Sequence, residues 1–282
     1  MLLKKGYSSK NTFYSKRYMT SLSNKKEPLR RFYAIGNWKM YKTIPEAESF
    51  VDQLADFLAG NENSIYVGIA APYTVIYDLN MEVQDLELPI FIGAQNMHEA
   101  HEGAYTGEIA GSMLVDAGAS FVLLGHSERR LFFHETSSVI AAKIKAALSY
   151  DLLPILCIGE TKEEKEKGET FSILKKQIEE GLQFVPTLKN KEIVLAYEPV
   201  WAIGSGKTPL AKEVQEIHIF CREVLRSLYG DESEKVSIIY GGSVNMNNAS
   251  NFSEQKDIDG LLIGGASLIS ESFYNILKNC SK

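Results

Sequence analysis

Ile193-Val194-Leu195-Ala196-Tyr197-Glu198-Pro199-Val200-Trp201-Ala202-Ile203-Gly204-Ser205-Gly206-Lys207-Thr208-Pro209 is the stretch that decides the fold. Its first five residues are apolar on consecutive positions, the pattern of a strand buried on both faces, as strands of parallel sheets are. An acid follows at once, and then a loop containing glycines. Seven other runs have the same form: Phe32 to Ile35, Ile65 to Ala71, Pro89 to Ile92, Phe121 to Leu124, Leu153 to Ile158, Val236 to Tyr240 and Gly260 to Ile263. The segments between them have helical spacing. Phe50, Leu54, Phe57 and Leu58 follow Thr43 and Pro45, with Gly60 as a stop; Val139, Ala142, Ala146 and Ala147 repeat the pattern, as do Val214, Ile217, Cys221, Val224 and Leu228. The mixed charges of Lys162 to Lys167 predict the solvated face of a helix start. Eight strand–helix units in about 250 residues match a single closed (β/α)8 barrel in count and length. The alternative, an open doubly wound sheet, would want G-x-G-x-x-G after its first strand, where this chain has Gly36-Asn37-Trp38-Lys39-Met40.

Composition sets the outer limits. The chain has 282 residues, 45% hydrophobic, 23% charged and 10% aromatic, a globular profile rather than a disordered or fibrous one. No apolar run approaches the roughly 18 residues of a membrane-spanning helix, so no membrane partner is expected. Cys157, Cys221 and Cys280 make an odd count without a C-x-x-C pair, which argues against a disulfide scaffold or thiolate zinc site and for a reducing compartment. Charge divides the chain in two. Residues 1–30 hold eight basic side chains and one acid, net +7, and residues 31–282 hold 22 basic and 35 acidic groups, net −13. So acidic a body lacks the basic footprint of a nucleic-acid binder. The Ser-rich, acid-poor leader has the composition of an organellar transit peptide, which would place the protein in a mitochondrial or plastid matrix. A disordered basic tail on a cytoplasmic protein is the alternative, and in both readings the leader lies outside the fold.

In a barrel, chemistry sits at the C-terminal ends of the strands. After the first strand come Asn37 and Lys39, a neutral hydrogen-bonding group and a cation. After the fourth comes Gly125-His126-Ser127-Glu128-Arg129-Arg130, where a histidine opening a helix is expected to stay neutral against the positive end of the helix dipole. Glu198, before a loop able to cover it, suits a general base in a desolvated site. The last two strands end in Gly241-Gly242-Ser243 and Gly264-Gly265-Ala266-Ser267; paired glycines after strands seven and eight point to a phosphorylated substrate.

Asn37-Trp38-Lys39, Gly125 to Arg130, Tyr197 to Gly204, Tyr240-Gly241-Gly242-Ser243 and Gly264-Gly265-Ala266-Ser267-Leu268 together closely resemble the motif set of the triosephosphate isomerase family, in its order and over almost all of residues 31–282. This family is itself a standard example of acid–base tuning. The resemblance implies interconversion of dihydroxyacetone phosphate and glyceraldehyde 3-phosphate through an enediolate, with no metal or organic cofactor. It implies that Glu198 moves the proton, neutral His126 polarises the carbonyl, Lys39 and Asn37 stabilise negative charge, and Glu128 pairs with Lys39 in the empty site. Backbone amides near Gly204, Ser243, Gly264 and Gly265 would hold the phosphate while the segment from Pro199 to Thr208, hinged at Pro209, closes as a lid. Gln95, Tyr105 and Thr106 resemble the long third loop that reaches into a partner subunit, which implies a homodimer.

Several features compete or depart. Gly206-Lys207-Thr208 ends like a P-loop, but Trp201 stands where that motif needs glycine. His98-Glu99-Ala100-His101 is one residue short of H-E-x-x-H, so a surface loop without metal is expected. Asn248-Ala249-Ser250 and Asn251-Phe252-Ser253 match glycosylation sequons with nothing else suggesting secretion. Another phosphate-binding barrel, such as a Schiff-base aldolase, would need a lysine inside the barrel where Glu198 stands. A non-catalytic scaffold would have no use for Asn37, Lys39, His126 and Glu198 together. The departure is Pro209: the family resemblance implies that Tyr240 latches the closed lid through a backbone N–H at that position, and proline has none.

Overall fold

The computed structural model describes residues 29–58, 65–189, 192–203 and 207–280. The leader over 1–28, the helix stop at Gly60 and the lid residues Gly204, Ser205 and Gly206 lie outside the described residues. The first half of the chain runs β1 (Tyr33–Asn37), α1 (Ile44–Leu58), β2 (Tyr66–Ala71), α2 (Ile76–Asp85), β3 (Ile90–Ala94), α3 (Gly111–Asp116), β4 (Phe121–Leu124), α4 (Ser127–Phe132) and α5 (Ser137–Ser149). The second half runs β5 (Leu153–Ile158), α6 (Lys162–Glu166), α7 (Thr170–Gly181), β6 (Val194–Tyr197), α8 (Ala211–Tyr229), β7 (Ser237–Tyr240), α9 (Ala249–Ser253), β8 (Gly260–Ile263) and α10 (Ser270–Asn279). Each strand pairs in parallel with its neighbours in sequence, and β8 returns to β1 to close the barrel. All eight expected runs are strands, and β1 and β3 reach two residues further than their apolar runs, through Asn37 and Ala94.

Alternation along the strands divides the core into two layers. Ala34, Val122, Leu124, Leu156, Leu195 and Ile238 join the layer under the helices, while Tyr33, Ile35, Phe121, Leu123, Ile155, Cys157, Val194, Ala196, Ile239 and Leu262 fill the barrel. The filling is close. A Cβ added at Gly93 would lie 2.5 Å from three carbons of the Phe121 ring, and one at Gly68 would lie 2.7 Å from Ile35 and 3.0 Å from Phe121. The two glycines are the space that Phe121 occupies.

Helix faces follow the expected periods with two exceptions: Leu228, at the end of the expected α8 face, is exposed, and the face of α5 is offset. On α5 the buried residues are Ile140, Ala141, Lys143, Ile144 and Ala147, so the inward face lies to one side of the Val139 and Ala142 positions that the spacing suggests. Alanine marks a face poorly, and the face includes a lysine: Lys143 is buried because its ammonium donates to Asn96 at 2.9 Å and Glu135 at 2.6 Å. Helix α6 is solvated as the mixed charges predict, with no buried residue.

The N-terminal end of the barrel is closed by ions. Arg222 on α8 donates through Nε to Asp257 Oδ1 at 2.9 Å, through Nη2 to Asp259 Oδ2 at 2.8 Å and through Nη1 to the Val236 carbonyl at 3.0 Å. Arg30 Nε donates to Asp259 Oδ1 at 2.8 Å, so the last residue assigned to the leader is already tied to the barrel.

Candidate active site

The period of two that fills the barrel also builds its mouth. Tyr33 and Ile35 point inward, and the next residue in that register is Asn37; Val194 and Ala196 lead likewise to Glu198, Ile239 to Gly241 and Leu262 to Gly264. Four strands thus deliver site residues to one end without special loop geometry. His126 arrives differently, as the N-cap of α4.

Glu198 is 2% exposed, and its two oxygens are held on opposite sides. Oε1 lies 3.0 Å from His126 Nε2, and Oε2 accepts the Ser127 backbone N–H at 3.0 Å. Gly241 leaves room for this side chain, since a Cβ there would come within 2.9 Å of Glu198 Cγ. His126 Nδ1 accepts the Glu128 backbone N–H at 3.3 Å, which fixes the neutral tautomer with its proton on Nε2. The helix start alone predicts a ring that titrates below free imidazole. Burial does push it down, but the adjacent Glu198 carboxylate, with Glu128 behind it, outweighs burial and the net direction is up. That pull belongs to the arrangement in which Glu198 rests on the ring.

Lys39 has φ of 51°, a left-handed conformation that a side chain disfavours. Two contacts hold it there: its N–H donates to Asn37 Oδ1 at 3.0 Å, and Gln95 Nε2 donates to the Lys39 carbonyl at 2.8 Å and to Ala70 at 3.0 Å. Its ammonium meets Glu128 Oε1 at 2.5 Å. Gln95, which the resemblance places in a loop reaching a partner, is half-buried beneath Lys39, two residues beyond Gly93 in the inward register of β3.

The described part of the lid starts with a single 3-10 turn, Val200–Ala202. Glu160 anchors it: its carbonyl accepts the Val200 N–H at 3.1 Å, and its Oε1 accepts the Trp201 indole N–H at 2.7 Å and the Tyr197 hydroxyl at 3.2 Å. Burial raises the Glu160 pKa against the pull of these donors. Lys165 Nζ lies 3.4 Å from the Trp201 ring centroid, so the solvated α6 also covers the lid. Ser243 Oγ donates to the Ala202 carbonyl at 3.1 Å. At the far hinge Pro209 is buried, and the Tyr240 hydroxyl has no hydrogen-bond partner among the described residues. Its ring stacks on Phe252.

Gly264 leads into the 3-10 turn Gly265–Leu268. A Cβ at Gly265 would meet nothing within 4 Å, and one at Gly264 would meet only Lys39 Cε at 3.8 Å, so this backbone faces open space beside the ammonium. Tyr105 and Thr106 are exposed on the loop after β3, and Tyr105 packs on His98. Sequence reasoning missed Glu160, Gln95 as a support of Lys39, and buried Lys143. Only Gln95 carried a readable signal: it stands two residues beyond Gly93 in the inward register of β3, as Glu198 does beyond Ala196 in β6.

A family profile described as triosephosphate isomerase matches residues 32–280. A triosephosphate isomerase of Protochlamydia amoebophila (strain UWE25) is 49% identical over 245 residues, covering 86% of this chain and 91% of the relative. One of Dictyoglomus turgidum (strain DSM 6724 / Z-1310) is 45% identical over 252 residues, 89% of this chain and all of the relative. The crystal structure of triosephosphate isomerase from Bartonella henselae superposes with a TM-score of 0.78 at 35% identity, covering 88% of this chain and 98% of that one. With the buried Glu198–His126 contact, the Lys39–Glu128 pair and the open glycine backbone at one barrel mouth, these matches establish that the chain belongs to the triosephosphate isomerase family.

Proposed function

We propose that the chain interconverts dihydroxyacetone phosphate and D-glyceraldehyde 3-phosphate, with Glu198 carrying the proton between the two carbons. The protein is an isomerase of the intramolecular oxidoreductase class. The observation that carries the mechanism is the Glu198 carboxylate, 2% exposed and 3.0 Å from the Nε2 of a histidine whose tautomer is fixed by a helix N-cap. Glu198 rests on the Ser127 N–H and His126; turning it toward substrate frees Nε2–H to donate to the carbonyl oxygen. Lys39 stabilises the developing enediolate charge and Asn37 fixes the loop that carries it. The open amides of Gly264 and Gly265, with Ser243 and the lid at Gly204, suit a phosphate. Closing Pro199 to Pro209 over them excludes water, which would otherwise let the enediolate lose phosphate. The substrate carbonyl itself makes the neighbouring C–H acidic, so the chemistry calls for no cofactor. A coupled assay on purified protein, run in both directions, tests the reading, and no turnover with either triose phosphate would overturn it.

Two finer readings go with it. The loops after β1 and β3 and the C-terminal end of α4 expose Met40, Tyr41, Tyr105, Leu131, Phe132 and Phe133, large apolar side chains that a second copy of the chain would cover. Sedimentation at micromolar concentration should give a homodimer, and a persistent monomer would reject it. The basic leader precedes the span matched by the family profile and is read as a transit peptide; a reporter fused to it should enter a mitochondrion or plastid, and a wholly cytosolic signal would reject that reading. Among the described residues no helix is long and apolar enough to cross a membrane.

A further inference from the structure

Residues 158 to 160 run beside the base and the start of the lid as a platform. The Ile158 carbonyl accepts the Glu198 N–H at 2.7 Å, and Glu160 holds Val200, Trp201 and Tyr197. Between them, Gly159 lies so close to the base that a Cβ there would be 1.8 Å from the Glu198 carbonyl oxygen and 2.7 Å from its carbon. Gly159 therefore packs directly against the main chain of Glu198.

One side chain clamps this glycine in both directions. Gln177, half-buried on α7, accepts the Gly159 N–H through Oε1 at 2.8 Å and donates through Nε2 to the Gly159 carbonyl at 3.0 Å. Gly159 gets from Gln177 the pair of bonds that a neighbouring strand would have supplied past the end of β5. On the same side lies a cavity of about 240 Å3 bordered by Gln177, Gly159, Glu198, Val200 and Arg130, so an unclamped Gly159 has space to move into. We propose that Gln177 is a positioning residue for the isomerisation: it sets the place of Glu198 and of the lid's first hinge through Gly159, without touching substrate. The proposal rests on Glu198 being the base. An ångström-scale displacement of a reacting group costs up to about 100-fold in rate, while binding at the distant phosphate amides is left alone.

The test compares Gln177→Met and Gln177→Glu with the wild type in the coupled assay from pH 4.5 to 8.5, with inorganic phosphate as the inhibitor that reports binding. Met matches the length without either hydrogen bond, and kcat should fall about 10-fold or more with KM and phosphate inhibition within about two-fold. Glu restores both bonds only as the protonated acid, whose O–H donates to the Gly159 carbonyl; ionised, it sets a second acceptor against that carbonyl. The ratio of its kcat to the wild-type value should be highest at the acid end of the range and fall as pH rises past the ordinary carboxyl pKa of about 4.3. A merely structural role would lower melting temperature without giving the ratio a pH dependence. A folded Met variant with kcat within two-fold of the wild type, a pH-independent ratio for Glu, or a loss confined to KM would each overturn the proposal. If Met does not fold, the Glu ratio decides alone. An inactive wild type would refute the assigned reaction rather than the clamp.

Discussion

The two ends of the barrel handle polar groups in opposite ways. At the N-terminal end the buried charges are paired: Arg222 bonds Asp257, Asp259 and the Val236 carbonyl, Asp259 also takes Arg30 and the Ile238 N–H, and Gln215 donates to Asp257 at 2.7 Å and accepts its N–H at 2.9 Å. At the mouth, Glu198 makes two bonds that it would have to leave to act as the proposed base, Glu160 Oε2 and the Tyr240 hydroxyl have no partner among the described residues, and Lys39 is held in a disfavoured conformation. One end spends its hydrogen bonds on holding the barrel shut, and the other keeps groups unsatisfied or movable for the reaction. The division should show as substitutions that stop catalysis without unfolding at one end, and the reverse at the other.

Glu198→Gln gives the largest expected effect. It keeps the shape and removes the basicity, so kcat should drop by about 10²- to 10⁴-fold in a folded protein, with phosphate inhibition nearly unchanged. An active Gln enzyme in the coupled assay would remove the base from the mouth. Asp259→Ala is the mirror case. It leaves Arg222 and Arg30 without their shared acid, and urea unfolding should show a loss of about 3 to 5 kcal/mol, while kcat per folded molecule stays within two-fold. A stable variant with damaged kcat would break the comparison.

A smaller effect lies between the ends. His218 on α8 is fully buried; its Nδ1 faces the Asp257 carbonyl at 3.0 Å and so carries the proton, and burial pushes its pKa down to about 4. The folded pKa lies below the unfolded value, so this group's contribution is fully present above about pH 6.5 and is lost as pH falls toward 4. Urea midpoints over that window should fall with a slope that His218→Asn, which keeps the donor, reduces by up to about 1.4 kcal/mol per pH unit. Equal slopes would show that the ring titrates normally. The smallest effect is at the lid's far hinge. Tyr240→Phe should change kcat by less than about two-fold, because Pro209 offers its hydroxyl no N–H. In Pro209→Ala the same change should cost about 0.5 to 1.5 kcal/mol, and a double-mutant cycle without coupling would reject the account.

The strands, and the place of the polar residues at their ends, were legible because both follow local rules. Apolar runs on consecutive positions announce strands covered on both faces, and Asn37 and Glu198 continue an alternation that the runs themselves establish. What stayed hidden depends on distant partners. Nothing near Lys143 in sequence foretells burial, since Asn96 and Glu135 that receive its ammonium belong to other segments. Glu160 was overlooked for another reason: it follows Gly159 in a stretch that reads as an ordinary loop, and only contact with Tyr197 and Trp201 shows that it holds the turn after Glu198. His126 was placed correctly, but its titration was not, because the helix start is local and the Glu198 carboxylate comes from a strand 72 residues later.

The fit of Phe121 against Gly68 and Gly93 constrains the order in which this sequence can change. With the phenyl ring present, a methyl at position 93 would sit 2.5 Å from three ring carbons, so Gly93→Ala is closed as a first step. Phe121→Leu opens a void first, at a cost of the order of a kilocalorie or two, and only then does alanine at 93 gain by filling it. Lineages that carry a side chain at position 93 should therefore carry a smaller residue at 121, and the two substitutions made together should be better tolerated than either history would suggest from Gly93→Ala alone.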